Sequence, residues 1–320
     1  LRRSISDVLR RGFESTLANW QLLLVRLAGL LATLALFAAA FFALVVPLLA
    51  SIGLGSLRSI DLDHGSEAAE EIIGRVTDAV TNHWTIVLYL VGVALVALLL
   101  WTMLYSVMIA GVVRVLVDAE KAAGPGESAR GRLAVFSLQR WWSGARSRWL
   151  EVFAIYNAVW AVACLVILVP LAAAGGLMLL FRGNAATVVL SCLVLLACVV
   201  FAVVVSFLAA IWAQKAVVVA EARGLATADA LRASRYELRH DLGRHAAVIL
   251  ILMIVSGGIG GAFNSFSFSF RLPSSALGAG MMFTLLPVVV VMQILASVVG
   301  AAVSHWLFAS LAALTLEDRS

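Results

Sequence analysis

Apolar residues come in six long runs separated by short charged stretches. Residues 27–57 carry no charge over 31 positions, 79–113 none over 35, 152–181 none over 30, 183–214 none over 32 and 246–270 none over 25. The last run, 272–316, is free of charge over 45 positions apart from His305. A helix needs about 20 apolar residues to cross about 30 Å of hydrocarbon. Each of the first five runs therefore predicts one crossing. The sixth contains the turn-forming stretch Pro273–Gly280, so its helix is expected to start near Met281. Ahead of the first run, Ile5, Val8, Leu9, Gly12, Phe13 and Leu17 fall at helical spacing, with Arg2, Arg3, Arg10 and Arg11 elsewhere. That pattern is an amphipathic helix on a membrane surface rather than a signal peptide.

Composition agrees with this. With 63% hydrophobic residues, 13% charged and a mean hydropathy of +1.04, there is too little polar side chain to coat a soluble protein of 320 residues. A soluble enzyme, a disordered chain and a coiled coil are excluded together. The expected fold is an all-α integral membrane protein of six transmembrane helices arranged as three hairpins, each preceded by an amphipathic cytoplasmic helix. Cys164, Cys192 and Cys198 all lie in apolar runs, where thiols act as small hydrophobes, and no disulfide framework is expected. Because residue 1 is leucine, the numbering is expected to begin at an alternative start codon or inside a longer chain.

Charge supplies the orientation. The segments 1–19, 114–150, 215–245 and 317–320 hold 18 Lys or Arg, whereas the intervening loops hold four, Arg58, Arg75, Arg182 and Arg271. Arg26 lies inside the first run. The positive-inside rule puts both termini in the cytoplasm. Residues 58–83 then form an extracytoplasmic loop that is acidic, with Asp61, Asp63, Glu67, Glu70, Glu71 and Asp78, and residues 66–81 are predicted to be a surface helix. Arginine makes up 21 of the 23 cationic residues, which fits a GC-rich bacterial gene and hence a bacterial inner membrane. Trp20, Trp84 and Trp149 sit at the beginnings of spans, as an aromatic belt requires.

The single membrane domain, 1–320, reads as three approximate repeats, 1–123, 124–224 and 225–320. Each opens with a Ser or Thr before an apolar-periodic stretch, at Ser4, Ser128 and Thr227, which is a helix-capping signal. The returning spans close alike, at Val117-Asp-Ala-Glu120-Lys, Val219-Ala-Glu221-Ala-Arg and Leu316-Glu317-Asp-Arg. Gly124 and Gly224 follow the first two as helix C-caps. The first two outward spans share a tail, Val46-Pro47-Leu48 and Val169-Pro170-Leu171.

Six spans, an amphipathic opener, and the link Glu221-Ala-Arg-Gly224 followed by Ala230-Leu231-Arg232-Ala-Ser234 resemble the bacterial membrane-domain family named for glycerophosphodiester phosphodiesterases and its YciC-like relatives. The likeness covers nearly the whole chain. In some members this domain precedes a soluble phosphodiesterase barrel. No barrel lies within these 320 residues, so the resemblance does not imply that enzymatic activity.

Candidate chemistry is sparse. Arg26 is the basic residue inside a hydrophobic run, which marks it for function by default, although it lies close enough to the interface to snorkel to lipid phosphate. Arg114, Gln214 and Lys215, with Glu120 and Glu221, could line a polar vestibule or pair between helix ends. Arg148 and Glu151 form an i,i+3 pair, and Asn157 is expected to hydrogen-bond between helices. The middle linker mixes Arg132, Arg140, Trp141, Trp142, Arg146 and Arg148, a combination suited to anionic lipid headgroups. Its place between two spans excludes nucleic acid in favour of membrane lipid. Gly257, Gly261 and Gly300 supply small surfaces for helix packing or an oligomer interface. Asn264–Phe270 places Phe266, Phe268 and Phe270 at strict alternation, the pattern of an extended aromatic segment at the outer mouth.

No catalytic, metal or cofactor signature is present. Asp61, Asp63, His64 and His83 match no metal spacing, and His240 and His245 are five apart rather than four. GxxxxGK[ST] and GxSxG are absent. The preferred reading is a non-enzymatic protein that binds lipid or another amphiphile, or scaffolds membrane partners, with a homo-oligomer among its possible states. A transporter or channel through the bundle is the alternative. An intramembrane enzyme ranks third.

Overall fold

The computed structural model describes residues 3–52, 74, 84–124, 130–180, 185–269 and 276–317. Among these every regular element is a helix: α1 (Ile5–Ala18), α2 (Gln21–Ile52), α3 (Trp84–Ala123), α4 (Arg130–Leu133), α5 (Leu138–Leu180), α6 (Ala185–Arg223), α7 (Thr227–His240), α8 (Leu242–Ser269) and α9 (Ala276–Glu317). Six are long and apolar enough to cross a membrane, through the windows Gln21–Pro47, Val87–Ala123, Leu138–Gly176, Val189–Arg223, Leu242–Gly261 and Val291–Glu317. Lipid-facing helices keep their apolar side chains exposed. Leu34, Phe42, Leu165, Leu196 and Ile254 are all exposed. The chain is a multi-pass membrane protein. Apart from the backbone of Gly74, the acidic loop 58–83 lies outside the described residues.

The long helices overrun the charge-free runs. Arg, Lys and Glu form helix readily, so charge ends an apolar run without ending the helix. α3 runs on to Ala123, α6 runs to Arg223, and α5 begins fourteen residues before Val152. Glycine stops the first two. Gly124 and Gly224 both have φ of 68°, in the left-handed region that costs glycine no Cβ strain. The N–H of Gly124 bonds the Glu120 carbonyl at 3.2 Å, and that of Leu225 bonds the Ala220 carbonyl at 3.0 Å. The two expected C-caps are therefore present. α9 begins at Ala276 rather than near Met281, because one turn-forming proline at 273 does not prevent a helix from starting just beyond it.

Two further expectations are corrected. Residues 264–269 belong to α8 and are helical, not extended. An apolar helix flank overrides a short period-two pattern. Phe270 and the side chains of Phe266 and Phe268 lie outside the described residues. The amphipathic helix expected from Ser128 is interrupted. Among the described residues α4 covers Arg130–Leu133, and a non-helical stretch at 134–137 separates it from α5. The cause is Asn19. Its side chain donates to the Leu133 carbonyl at 2.7 Å and accepts from the N–H groups of Val135 at 3.1 Å and Phe136 at 3.0 Å. Leu133 is meanwhile fully buried against Ala119 and Ala123. Ser137 then caps α5, accepting from the Arg140 N–H at 3.1 Å.

The chain divides into two compact units, residues 27–105 and residues 1–26 with 106–320. In the smaller, the Tyr89 hydroxyl donates to the Ala43 carbonyl at 2.9 Å, tying α3 to α2. The larger holds the core. In it α5 packs along α6, α8 along α9, α7 against α6, and α1 against α9. Its fully buried residues concentrate in the last turns of α3 (Ile109, Leu116), α6 (Ile211, Val218) and α9 (Phe308, Leu311).

α1 and α7 share a geometry. Both are 14 residues long, and α1 positions 8, 12 and 16 are buried, as are positions 230, 234 and 238, each 222 residues later. At the same spacing, Asn19 and Asp241 end the helices with a backbone bond to the carbonyl four residues back. The Trp306 indole of α9 donates to the Leu9 carbonyl at 2.6 Å, and the Trp212 indole of α6 donates to the Leu231 carbonyl at 3.3 Å. Leu9 and Leu231 are again 222 apart. Only α1 closes its N-terminus with a capping box, in which Ser4 and Asp7 bond each other's backbone N–H.

Close approach falls at three glycines. A Cβ on Gly12 would lie 2.1 Å from the Ser310 hydroxyl, one on Gly111 would lie 2.3 Å from the Trp141 ring, and one on Gly144 would lie 2.4 Å from the Arg114 Cβ. Around Gly257, Gly261 and Gly300 nothing described lies within 4 Å of such an atom. We therefore expect Gly111→Ala and Gly144→Ala to lower stability by about 1–3 kcal/mol through overpacking. Gly257→Ala and Gly300→Ala are expected to leave the monomer's thermal unfolding in detergent unchanged. Equal losses at all four positions would contradict this packing.

Candidate functional site

One end of the larger unit collects charge. Low exposure makes any unpaired ion there costly, and each buried carboxylate has cations from distant parts of the chain. Glu120 of α3 accepts from Arg11 of α1 at 2.7 Å and from Arg3 at 3.1 Å. Glu221 of α6 pairs with Arg114 of α3 at 2.7 Å, and Arg148 of α5 lies 4.0 Å away. Glu317 of α9 pairs with Arg244 of α8 at 2.9 Å and also accepts from the backbone N–H of Arg3. The side chains of these three glutamates are 5–7% exposed.

Lys215 of α6 is fully buried. Its ammonium lies 2.8 Å from Glu237 of α7 and donates to the Thr315 hydroxyl of α9 at 2.8 Å. The Thr315 hydroxyl in turn donates to the Leu311 carbonyl at 2.7 Å, and Glu237 is also held by Arg223. Buried His245 sets its Nδ1 2.9 Å from the Asp241 carbonyl. Arg114 and Lys215 each stand six residues before a glutamate, Glu120 and Glu221, and the two pairs are 101 residues apart. Arg114 reaches α6 and Lys215 reaches α9. The position six before Glu317 is Leu311, and the link from α9 back to α3 runs through Arg3.

The charges anticipated from sequence divide accordingly. Arg114, Lys215, Glu120 and Glu221 pair between helix ends. Arg148 pairs with Glu151 at 3.5 Å as expected. Asn157 is a correction, because its amide donates to the Phe153 carbonyl of its own helix at 2.8 Å, where the i−4 carbonyl is the nearest acceptor. Among the anticipated headgroup residues, Arg132, Arg140, Trp142 and Arg146 are exposed. Trp141 is a correction. It is 7% exposed with its ring over Gly111, since the helical turn that aims Trp142 outward aims its neighbour at α3. Arg26 is half-buried.

Arg114, Asp118, Ser137, Gln139, Arg140 and Ser143 line a surface groove of about 290 Å³. Asp118 lies 3.1 Å from Arg114 Nε and 3.8 Å from Arg140 Nε. Among the described residues no group of three or more His, Cys, Asp or Glu could hold a metal ion. Asn19, Glu237 and the two indoles had no sequence signal alone; of these Asn19 has a counterpart at the 222-residue spacing, Asp241. The chain matches no family model, no curated protein and no solved structure.

Removing one partner of a buried ion pair costs about 3–5 kcal/mol, because the other charge is stranded. Glu237→Leu, which strands Lys215, is expected to fall in that range in thermal unfolding. Lys215→Met should cost less, since Glu237 keeps Arg223, and the double variant should recover part of the loss of Glu237→Leu. Strictly additive losses would show that the ammonium does not depend on this carboxylate.

Proposed function

We propose that this protein is a non-enzymatic membrane protein of the bacterial inner membrane that binds lipid at its charged end. The observation that carries this reading is the separation of its charges. The buried ionisable groups join helices to one another, while Arg132, Arg140, Arg146 and Trp142 face outward beside exposed apolar helix surface. Arginine beside tryptophan suits the headgroup layer, where each basic residue adds about 1 kcal/mol of attraction to an anionic surface. The basic excess at this end supports a cytoplasmic placement, with both termini there.

The same reading takes the chain as three repeats of two spans. The 222-residue match between α1 and α7 supports it, as does the 101-residue match of Arg114 and Glu120 with Lys215 and Glu221. In this arrangement each repeat's opening segment lies on the closing helix of the repeat before it. α7 lies on α6, the start of α5 lies on α3 through Gly111 and Gly144, and α1 lies on α9.

Replacing Arg132 and Arg146 together with Gln is expected to lower the amount of anionic lipid that co-purifies with the protein. It should also reduce the thermal stabilisation given by phosphatidylglycerol nanodiscs over phosphatidylcholine nanodiscs. Unchanged lipid retention and unchanged stabilisation would defeat the lipid reading.

A further inference from the structure

We infer that the groove between α3 and the start of α5 binds the headgroup of an aminophospholipid, a phosphodiester that carries a primary ammonium. This deepens the lipid-binding reading and rests on it, but it concerns one specific site rather than the general basic surface.

The groove carries both signs of charge in headgroup-sized space. Two guanidinium groups, Arg114 and Arg140, share one carboxylate, Asp118, across about 290 Å³. Arg140 meets Asp118 only at 3.8 Å, beyond hydrogen-bond length, so a phosphate oxygen could take that place at little cost. Both arginines are about two-fifths exposed, and their contacts with Asp118 contribute little to stability and exchange readily for an outside partner, while Arg114 keeps its 2.7 Å pair with buried Glu221. Arginine's planar fork suits a phosphodiester. Hydroxyls at Ser137 and Ser143 and the Gln139 amide add neutral hydrogen-bonding groups around the same space. The first turn of α5, which ends at this groove, adds partial positive charge.

Asp118 decides the class of headgroup. An anionic headgroup would gain from the arginines and be opposed by the carboxylate. A phosphate with an ammonium two carbons away satisfies both, since the ammonium can donate to Asp118 while the phosphate draws the guanidiniums. A trimethylated choline has no N–H to donate. Access is lateral. Leu138 and Trp142, one helical turn apart beside the groove, are 64% and 55% exposed and offer apolar surface for the acyl chains.

The test uses the full chain in nanodiscs of phosphatidylcholine alone, with added phosphatidylethanolamine, or with added phosphatidylglycerol. Phosphatidylethanolamine is expected to raise the melting temperature above that in phosphatidylcholine by about 3 °C or more. Asp118→Asn should erase that advantage while keeping the phosphatidylglycerol effect. Arg140→Gln should erase it too, with a partial loss of the phosphatidylglycerol effect, to which Arg140 contributes beside Arg132 and Arg146. Native mass spectrometry of the unsubstituted protein, expected to retain phosphatidylethanolamine over phosphatidylcholine, keeps the test open if either variant fails to fold. Equal stabilisation by the two zwitterionic lipids would overturn the proposal, as would an ethanolamine preference that survives both substitutions. An equal shift from dissolved phosphoethanolamine in phosphatidylcholine nanodiscs would overturn the lipid as its source. Loss of the phosphatidylglycerol effect in the unsubstituted protein would instead count against the general lipid reading.

Discussion

A carboxylate held almost entirely out of water is costly unless cations are brought to it, and three such glutamates organise this protein. Glu120, Glu221 and Glu317 sit in the last turns of α3, α6 and α9, helix ends that also hold fully buried apolar side chains such as Leu116, Val218 and Leu311. Their partners come from α1, α3, α5 and α8, so none of the three can be satisfied within its own helix. Burying an ion pair is seldom a net gain over burying hydrocarbon. The value of these pairs is specificity, because apolar helices can slide against each other in many registers whereas Arg114 meets Glu221 in one.

Lys215 carries this furthest. A fully buried ammonium between α6, α7 and α9 fixes three elements at one point, using a carboxylate and a hydroxyl. The outward-facing arginines are left to act on the surroundings. The proposed lipid contacts follow from that division.

The membrane class and the six crossings were legible because hydrocarbon sets a minimum length for any apolar run. The C-caps at Gly124 and Gly224 were legible because positive φ favours glycine. Boundaries inside the charged linkers were not. α5 absorbs residues 138–151 because nothing among them breaks a helix, whereas Asn19, more than a hundred residues away, keeps 134–137 from joining it. Trp141 and Trp142 are alike in composition and opposite in exposure, a difference that depends on where α3 passes. The pairing of Lys215 with Glu237 was hidden similarly, since both residues belong to stretches that read as ordinary interfacial charge.

The contact that closes the arrangement joins the first helix to the last, and photocross-linking tests it most directly. Phe13 of α1 packs against Trp306 of α9 with ring centroids 5.1 Å apart and the planes tilted by 58°. A benzoylphenylalanine placed at position 13 and irradiated in native membranes should join, within one chain, to the peptide that contains Trp306. Adducts only to lipid, or only to a second copy of the chain, would contradict the closure.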